Sequence, residues 1–336
     1  MKKSILKKMI CLALVVAMMM SLCIGCAGND DSDAGDSKES KDTYKIGICQ
    51  LTQHDALDAA TEGFQDALKD KLGDKVEFDL QNASGDSATC ATITNQFVND
   101  GVDLIMANAT PALQAAMATT GDIPIVATSV TDFATALDID DWTGKSGINV
   151  TGTADLAPLA EQAAMVKELL PEAKTVGILY CSAEANSKYQ ADVITAEFKE
   201  LGLESKEYTV ADTNEIASVV TKMCEEVDCI YIPTDNTIAE ATAAVHEIAY
   251  PKQIPVVAGE EGICKGCGIA TLSISYYSIG YEAGLMAYEI LANGADPAEM
   301  EIKYATELTH KYVEERTTAL GITVPDTYEA IDMSEE

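Results

Sequence analysis

The chain has 336 residues, of which 47% are apolar, and it carries a formal net charge of −33 at pH 7. Its length is sufficient for two domains, each with its own hydrophobic core. So negative a surface repels phosphate backbones and anionic lipid, which excludes nucleic-acid binding as a function.

The amino terminus predicts export and a lipid anchor. Four lysines precede an apolar run over residues 9–22, which is short for a transmembrane helix. The run ends in CIGC at 23–26, and a bacterial lipoprotein peptidase requires such a small residue before a cysteine. We therefore predict a signal peptide over residues 1–25 and lipidation of Cys26. The alternative is a removed signal with no anchor.

The segment 26–43 predicts an acidic tether. It contains no aliphatic residue larger than alanine, so it cannot bury a core and should be solvated between membrane and domain. The chain after Cys26 carries 18 basic and 55 acidic side chains, a net charge of −37. We interpret this acidity as a contribution to solubility.

From Tyr44 onward, β-rich runs alternate with helical patterns, which is typical of parallel sheets with crossover helices. The first series predicts strands over 45–51, 76–81, 104–108 and 124–128. The second series predicts strands over 175–180, 205–210, 229–233, 254–258 and 270–273, with helices over 156–170, 187–201, 214–225 and 238–250. A last helix over 279–291 is expected to return to the first lobe. Two similar βα series predict an α/β protein of two lobes joined by a hinge.

The expected lobe boundaries follow from this pattern. We assign residues 44–150 and about 277–300 to the first lobe. The second lobe takes 151–276 and about 301–330. The first crossing is expected near 149–152.

Seven cysteines follow Cys26, an odd number that does not resemble a disulfide framework. We expect most of them to be small buried apolar residues. Cys264 and Cys267 are separated by two residues and leave three interpretations open: a structural turn, a disulfide, or a metal or redox pair. A zinc site needs four ligands, and the sequence offers no second pair of suitable spacing.

In open α/β sheets, ligands bind beyond the carboxyl ends of the strands, beside helix amino termini. Short hydrogen-bonding residues occupy most of these positions here. The first lobe offers Thr52, Gln53, His54, Asn82, Asn108, Ala109, Thr110, Thr128 and Ser129. The second offers Ser182, Glu184, Ala185, Asn186, Asp235, Asn236 and Glu260. Helix capping explains any one of them equally well, but their occurrence in both lobes predicts a ligand cleft.

These segments resemble the ABC-transporter substrate-binding lipoproteins of the tryptophan- and phenylalanine-binding type. The resemblance rests on HDALDAATEGFQDAL (54–68), QNASGD (81–86), ANATPALQAA (107–116), DIPIVATSVTD (122–132), GINVTGTAD (147–155), GILYCSAEANS (177–187), IPTDNTIA (232–239), IPVVAGEEG (254–262) and SYYSIGYEAG (275–284). It implies a type I periplasmic-binding-protein-like fold with two Rossmann-like lobes and a hinged cleft. It also implies delivery of a small molecule to a membrane permease with its ATPase, without a cofactor.

The resemblance implies a role for several of these residues toward a zwitterion. Asn108, Thr110 and Thr128 suit the ligand carboxylate, because the amides of a helix start point outward there. Asp235 is the expected partner of the ammonium group, with Glu260 second. Tyr276 is the candidate to contact an aromatic side chain, with Tyr277 beside it and Phe133 in reserve, and core packing is the alternative for each. Asp55 stands where the family commonly has proline.

An enzyme is the first rival interpretation. The sequence contains neither a phosphate-binding GxxxxGK[ST] motif nor a GxSxG nucleophile elbow, and only His54 of three histidines falls near the cleft. Asp235 and Glu260 form a conceivable glycosidase pair, which the family resemblance disfavours. A sensing role with a membrane receptor stays open, and so does a sugar, nucleoside or aliphatic amino acid as the ligand. We expect an extracytoplasmic monomer.

Overall fold

The structure is a computed structural model, and it describes residues 43–334. In chain order the strands are β1 (Tyr44–Gln50), β2 (Val76–Asn82), β3 (Leu104–Asn108), β4 (Ile125–Val130), β5 (Val150–Ala154), β6 (Thr175–Cys181), β7 (Glu204–Val210), β8 (Cys229–Ile232), β9 (Val256–Ala258), β10 (Ala270–Ile274), β11 (Lys303–Tyr304), β12 (Leu308–Tyr312) and β13 (Glu329–Ala330). The helices are α1 (Asp55–Leu72), α2 (Ser87–Asp100), α3 (Thr110–Thr119), α4 (Phe133–Leu137), α5 (Leu159–Leu169), α6 (Ala185–Glu200), α7 (Ile216–Met223), α8 (Asn236–Glu240), α9 (Thr242–Ala249), α10 (Glu261–Cys267), α11 (Tyr276–Asn293) and α12 (Glu314–Ala319).

The first lobe is built on a six-stranded sheet in the order β11-β5-β4-β3-β1-β2, with neighbouring strands parallel throughout. Strands β3 and β4 are buried along their whole length, as expected for apolar strands covered on both faces. Helices α1 and α11 cover one face together. Phe64 and Leu68 of α1 pack there against Ile46 and Ile48 of β1.

The second lobe is built on a seven-stranded sheet in the order β13-β12-β10-β9-β8-β6-β7. Its strands run parallel except where β12 pairs antiparallel with β10. Tyr231 is fully buried in β8, where its ring meets Phe198 edge-on at 5.8 Å. Its hydroxyl donates to Gln162 of α5, so the one polar atom of this side chain is satisfied inside the core.

Within residues 43–334 the chain passes between the lobes three times. The first crossing follows Ala154, because β5 pairs with β4 in the first sheet, whereas the expected crossing lay at 149–152. The chain returns between β10 and α11, whose first residue is Tyr276. It crosses again between β11 and β12, since β11 still pairs with β5.

Two helices differ from their predicted form for local reasons. The predicted helix over 156–170 begins only at Leu159, because a residue that precedes proline disfavours helical backbone and Pro158 stands before the helix. The predicted helix over 238–250 is divided into α8 and α9 at Ala241, whose φ of −131° and ψ of 32° interrupt the helix. Among residues 43–334, no helix is both long and apolar enough to cross a membrane.

Candidate functional site

The carboxyl ends of the two parallel sheets meet where the lobes touch. His54 follows β1, and its Nε2 lies 3.3 Å from Oδ1 of Asn236, which begins α8 in the second lobe. Gln190 of α6 lies with its Nε2 3.5 Å from the hydroxyl of Thr131, which follows β4. The lobes are therefore in contact across the cleft and not only at the crossings.

Burial disfavours the charged form of the His54 ring. It lowers the pKa of His54, although the nearby carboxylates of Glu184 and Asp58 favour the charged form. Asn236 donates its amide nitrogen to Glu184 at 2.6 Å, so its Oδ1 is an acceptor. The contact between His54 and Asn236 is thus a hydrogen bond that the imidazole Nε2 donates to the Asn236 amide oxygen.

A cavity of about 260 Å³ lies between strand ends of both lobes. The first lobe lines it with Thr52, Ser84 and Pro111, and the second with Glu184 and Asn236. A second cavity of about 600 Å³ is lined by residues that include Gln53, His54 and Glu260. A third, of about 550 Å³, is lined by residues that include Glu260 and Tyr276.

Four side-chain oxygens at the strand ends are buried without a hydrogen-bond partner among the described residues. They are Asn108 Oδ1, Thr110 Oγ1, Ser129 Oγ and Asn186 Oδ1. Buried polar atoms are almost always paired in folded proteins, and exceptions often mark a site that another molecule completes. Three of these atoms come from the first lobe and one from the second.

Two residues at these strand ends hold a strained backbone. Ala109 follows β3 with φ of 93°, and Ser129 lies near the end of β4 with φ of 55°. The left-handed region is unfavourable for side chains other than glycine, and such strain is concentrated at binding and catalytic sites. The pairing of β4 with β5 shifts register between Ala127 and Val130, which accounts for the turn of the chain at Ser129.

Glu184 joins two strand-end loops of the second lobe. Its carboxylate accepts from the main-chain N–H of Asn236 at 3.1 Å and of Thr237 at 2.9 Å. The side chains of Asn236, Thr237 and Asn186 donate to it as well. So many donors fix the loop after β6 against the start of α8.

Asp235 and Glu260 are buried caps of short helices. Asp235 Oδ1 accepts from the N–H of Ile238 at 2.8 Å, and its Oδ2 accepts from the N–H of Cys181 at 2.6 Å. Glu260 accepts from the N–H groups of Gly262 and Ile263. Burial raises the pKa of each carboxyl to about 7, and these main-chain donors oppose the rise.

Asp155 is a further buried carboxyl, located directly after β5 at the first crossing. Its Oδ2 accepts from the hydroxyl of Tyr276 at 2.9 Å, and its Oδ1 accepts from the hydroxyl of Thr131 at 3.1 Å. Burial raises the pKa of Asp155, and the two hydroxyl donors oppose the rise.

Residues 45–331 match the family model of the ABC transporter substrate binding protein. The chain belongs to this family. Members of the family bind solutes for transport and act outside the cytoplasm.

This substrate-binding protein is 37% identical over 291 residues to a tyrosine-binding protein of Clostridioides difficile strain R20291, covering 85% of this chain and 84% of that one. It superposes with a TM-score of 0.82 and 33% identity on a Streptococcus pneumonia ABC domain in complex with L-Trp, covering 86% and 100% of the two chains. A leucine-binding protein of Thermotoga maritima shares the fold at 16% identity, with a TM-score of 0.56 over 75% of this chain and 83% of the other. These matches confirm the predicted type I periplasmic-binding-protein-like fold.

The chain superposes more closely on the ligand complex than on an open form. The ligand-free, open structure of a substrate-binding protein with adhesive properties from Clostridium difficile gives a TM-score of 0.67 at 34% identity, over 87% of this chain and all of that one. The L-Trp complex, of nearly the same identity, gives 0.82. Sequence divergence therefore does not explain the difference, and the hydrogen bonds between the lobes of this substrate-binding protein agree with closure.

Some of the predicted site residues line the cavities between the lobes, and others do not. Thr52, Glu184 and Asn236 line the same cavity, and Gln53 and His54 line the next one with Glu260. Ala185 and Asn186 begin α6, directly after Glu184. Asn82 and Ser182 are exposed and bond locally, to the N–H of Ser84 and the carbonyl of Val210.

Asn108 holds helix α1 against the first sheet, whereas Thr128 is hydrogen-bonded within that sheet. Asn108 Nδ2 donates to the carbonyl of Leu57 at 2.8 Å and to the hydroxyl of Thr61 at 3.0 Å, both in α1. Thr128 accepts from the hydroxyl of Thr153 at 2.9 Å, beneath α11. The amide donors of Asn108 are thus already engaged within the lobe.

Sequence reasoning missed Asp155 and Gln190, and it offered Ser129 only as one of several strand-end residues. Asp155 lies within the quoted segment GINVTGTAD, and its position after a β-rich run was the one available signal. Hydrophobic periodicity shows neither the left-handed backbone of Ser129 nor the position of Gln190 along α6.

All seven cysteines in the described part of the chain are buried free thiols. Cys264 and Cys267 belong to α10, where burial raises the pKa of both thiols, that of Cys267 to about 12. The guanidinium of Arg316 donates to four carbonyls at the end of this helix, including that of Cys264 at 2.8 Å. The CKGC segment is therefore the carboxyl end of a capped helix.

Proposed function

We propose that this protein is the solute-capturing component of an ABC importer. It closes two lobes around one small zwitterion, an aromatic amino acid, and passes it unchanged to a membrane permease with its ATPase. One observation carries the proposal: the strand ends of both lobes meet across the cleft through His54 and Asn236, and buried oxygens of Thr110, Ser129 and Asn186 have no partner among the described residues. A molecule enclosed between the lobes would supply the missing partners.

The aromatic ligand class rests on the relatives and on the chemistry of the cleft. A tyrosine-binding protein is 37% identical, and the structure with TM-score 0.82 is a complex with L-Trp. Buried carboxyls at the lobe interface suit an ammonium group. The buried ring of Tyr276 lies beside them and supplies an aromatic surface.

We assign the ligand carboxylate to the start of α3. The ten-residue helix begins at Thr110, whose buried hydroxyl has no partner among the described residues. The strained backbone of Ala109 sets the direction of this first helical turn, and helix amino termini favour anions. Asn108 was predicted to share this role, but its amide donors are occupied by Leu57 and Thr61.

We further propose an extracytoplasmic monomer, held to the bacterial membrane by a lipid on Cys26. The predicted signal peptide and Cys26 lie outside the described residues. The support is therefore the sequence pattern alone, a basic and apolar leader that ends in a small residue and a cysteine.

A calorimetric screen of the twenty amino acids, with sugars and nucleosides as comparison ligands, tests the proposal. We expect an aromatic amino acid to bind with a Kd of about 1 μM or tighter. Stabilisation by sugars alone, or by aliphatic amino acids alone, would refute the assigned ligand class.

A further inference from the structure

Asp155 and Tyr276 connect two of the three crossings between the lobes. Asp155 follows β5 where the chain first leaves the first lobe, and Tyr276 begins α11 where the chain returns. The Tyr276 hydroxyl donates to Asp155 at 2.9 Å, and the two residues are only 3% and 6% exposed. A buried carboxylate thus lies at the hinge itself.

Asp155 differs from the other buried carboxylates between the lobes. Glu184, Asp235 and Glu260 each accept main-chain N–H groups at the start of a helix. Asp155 accepts from two side-chain hydroxyls, those of Tyr276 and Thr131, and no Lys, Arg or His of the described chain forms an ion pair with it. Capping explains the first three carboxylates, and it does not explain Asp155.

A buried carboxylate without a cation is costly to keep ionised. Two hydroxyl groups offset part of this cost, but they bring no positive charge. An ammonium group supplied by a ligand would restore neutrality through a charge-assisted hydrogen bond, which is among the strong interactions available in a protein interior.

The surroundings of Asp155 belong to both lobes. The Thr131 hydroxyl lies 3.5 Å from Nε2 of Gln190 in the second lobe, and the same Nε2 donates to the carbonyl of Thr234, which follows β8. Ser129, whose hydroxyl is buried and unpaired among the described residues, lies on the same turn of chain as Thr131. Asp155 is therefore adjacent to the polar atoms that closure brings together.

We propose that Asp155 binds the ammonium group of the amino-acid ligand, held in place by the hydroxyls of Tyr276 and Thr131. This inference rests on the proposed function and identifies which group of the protein selects an amino acid. Asp235 and Glu260, predicted from the sequence for this role, instead shape the strand-end loops as helix caps.

The test compares two ligands on three proteins. The ligands are the aromatic amino acid that the wild type binds best and its deaminated analogue, the corresponding 3-arylpropionate. The proteins are the wild type, Asp155→Asn and the matched control Asp235→Asn. The measured quantity is the ratio of the two Kd values, which reports recognition of the ammonium group and cancels any general damage to the cleft.

We expect the wild type to prefer the amino acid by at least about 30-fold, the fold-change that corresponds to stranding one partner of a buried charge pair. Asp155→Asn should lose most of this preference, while Asp235→Asn should keep it even if both ligands bind more weakly. Loss of the preference in Asp235→Asn, with its retention in Asp155→Asn, would overturn the inference.

A second variant covers the case in which Asp155→Asn does not fold. Thr131→Val preserves the side-chain shape and removes one of the two hydroxyl donors to Asp155. We expect it to reduce the preference several-fold, whatever its effect on the affinity for either ligand alone, and an unaltered preference would count against the inference. A wild type that binds no amino acid would instead refute the proposed function, so the two failures are distinguishable.

Discussion

Gly280 of α11 lies directly against the main chain of Ala60 in α1. A Cβ added to Gly280 would overlap the Ala60 carbonyl oxygen, and one added to Gly63 of α1 would overlap the carbonyl of Tyr277. The two helices therefore approach backbone to backbone in both directions. Their amino termini, at Asp55 and Tyr276, both line the cleft region, so this contact sets where the start of each helix lies.

Gly280→Ala should destabilise the protein, because neither backbone can move without disturbing the packing beneath both helices. We expect a loss of about 1–3 kcal/mol or more in the free energy of unfolding, measured by urea denaturation. Gly121→Ala is the matched control: Gly121 is exposed, and an added Cβ meets nothing within 4 Å. Its effect should stay within about 0.5 kcal/mol. Equal midpoints for the two variants would contradict the close contact.

Glu260 should make the empty protein less stable at alkaline pH. Burial raises the pKa of its carboxyl from 4.5 to about 7, so the folded state holds the proton more tightly than the unfolded state. The corresponding stability is present below the unfolded pKa and is lost as pH rises through the folded pKa, up to about 3 kcal/mol in total.

Urea denaturation between about pH 5 and pH 8 measures this loss. Glu260→Gln should show a smaller decline in stability over that range than the wild type. Glu299→Gln is the control: the Glu299 carboxylate pairs with Lys145 at the surface of the first lobe, so this variant should leave the decline unchanged. A decline in Glu260→Gln as steep as that of the wild type would show that another group is responsible.

His54→Ala should accelerate ligand release. The hydrogen bond from His54 to Asn236 joins the two lobes, so removing it destabilises the closed form relative to the open one. A net contribution of about 0.5–1.5 kcal/mol corresponds to a 2- to 12-fold increase in Kd, expressed mainly in the dissociation rate. Stopped-flow displacement measures it. His310→Ala is the control, because that ring packs against Tyr328 within the second lobe; matching dissociation rates for the two variants would argue against the contact.

Cys26→Ala should abolish lipid attachment. Radiolabelled palmitate should be incorporated by the wild type and by Cys23→Ala, since only Cys26 follows the small residue of the leader at the expected distance. Label retained in Cys26→Ala would end the anchor hypothesis, and label lost only in Cys23→Ala would move the modified residue.

The alternation of β-rich and helical runs predicted most strands, because buried strands such as β3 and β4 are apolar runs in the sequence. The sequence does not show which lobe a short strand joins. Strand β5 contains Thr151 and Thr153 and becomes part of the first sheet only through its pairing with β4. Pairing between distant segments decides which sheet such a strand joins, and hydrophobic periodicity does not show this pairing.

The same limit applies to the site. Residues at strand ends were predictable because parallel strands place their carboxyl ends at one edge. The sequence did not show which buried carboxylates cap helices and which do not. Asp155, for example, obtains one of its two hydroxyl partners from Tyr276, 121 positions away. The strain at Ala109 is likewise a property of the folded backbone.

The order of the strands determines how late in synthesis each lobe can fold and whether the chain can be cut into folded fragments. Helix α11 and strand β11 reach the first lobe only after the whole βα series of the second, and β12 and β13 then complete the second sheet from the last thirty or so described residues. Neither half has a full core until almost the entire polypeptide is available. A fragment truncated near residue 300 would leave both sheets with open edges, so neither half can be excised as one continuous piece and retain its fold.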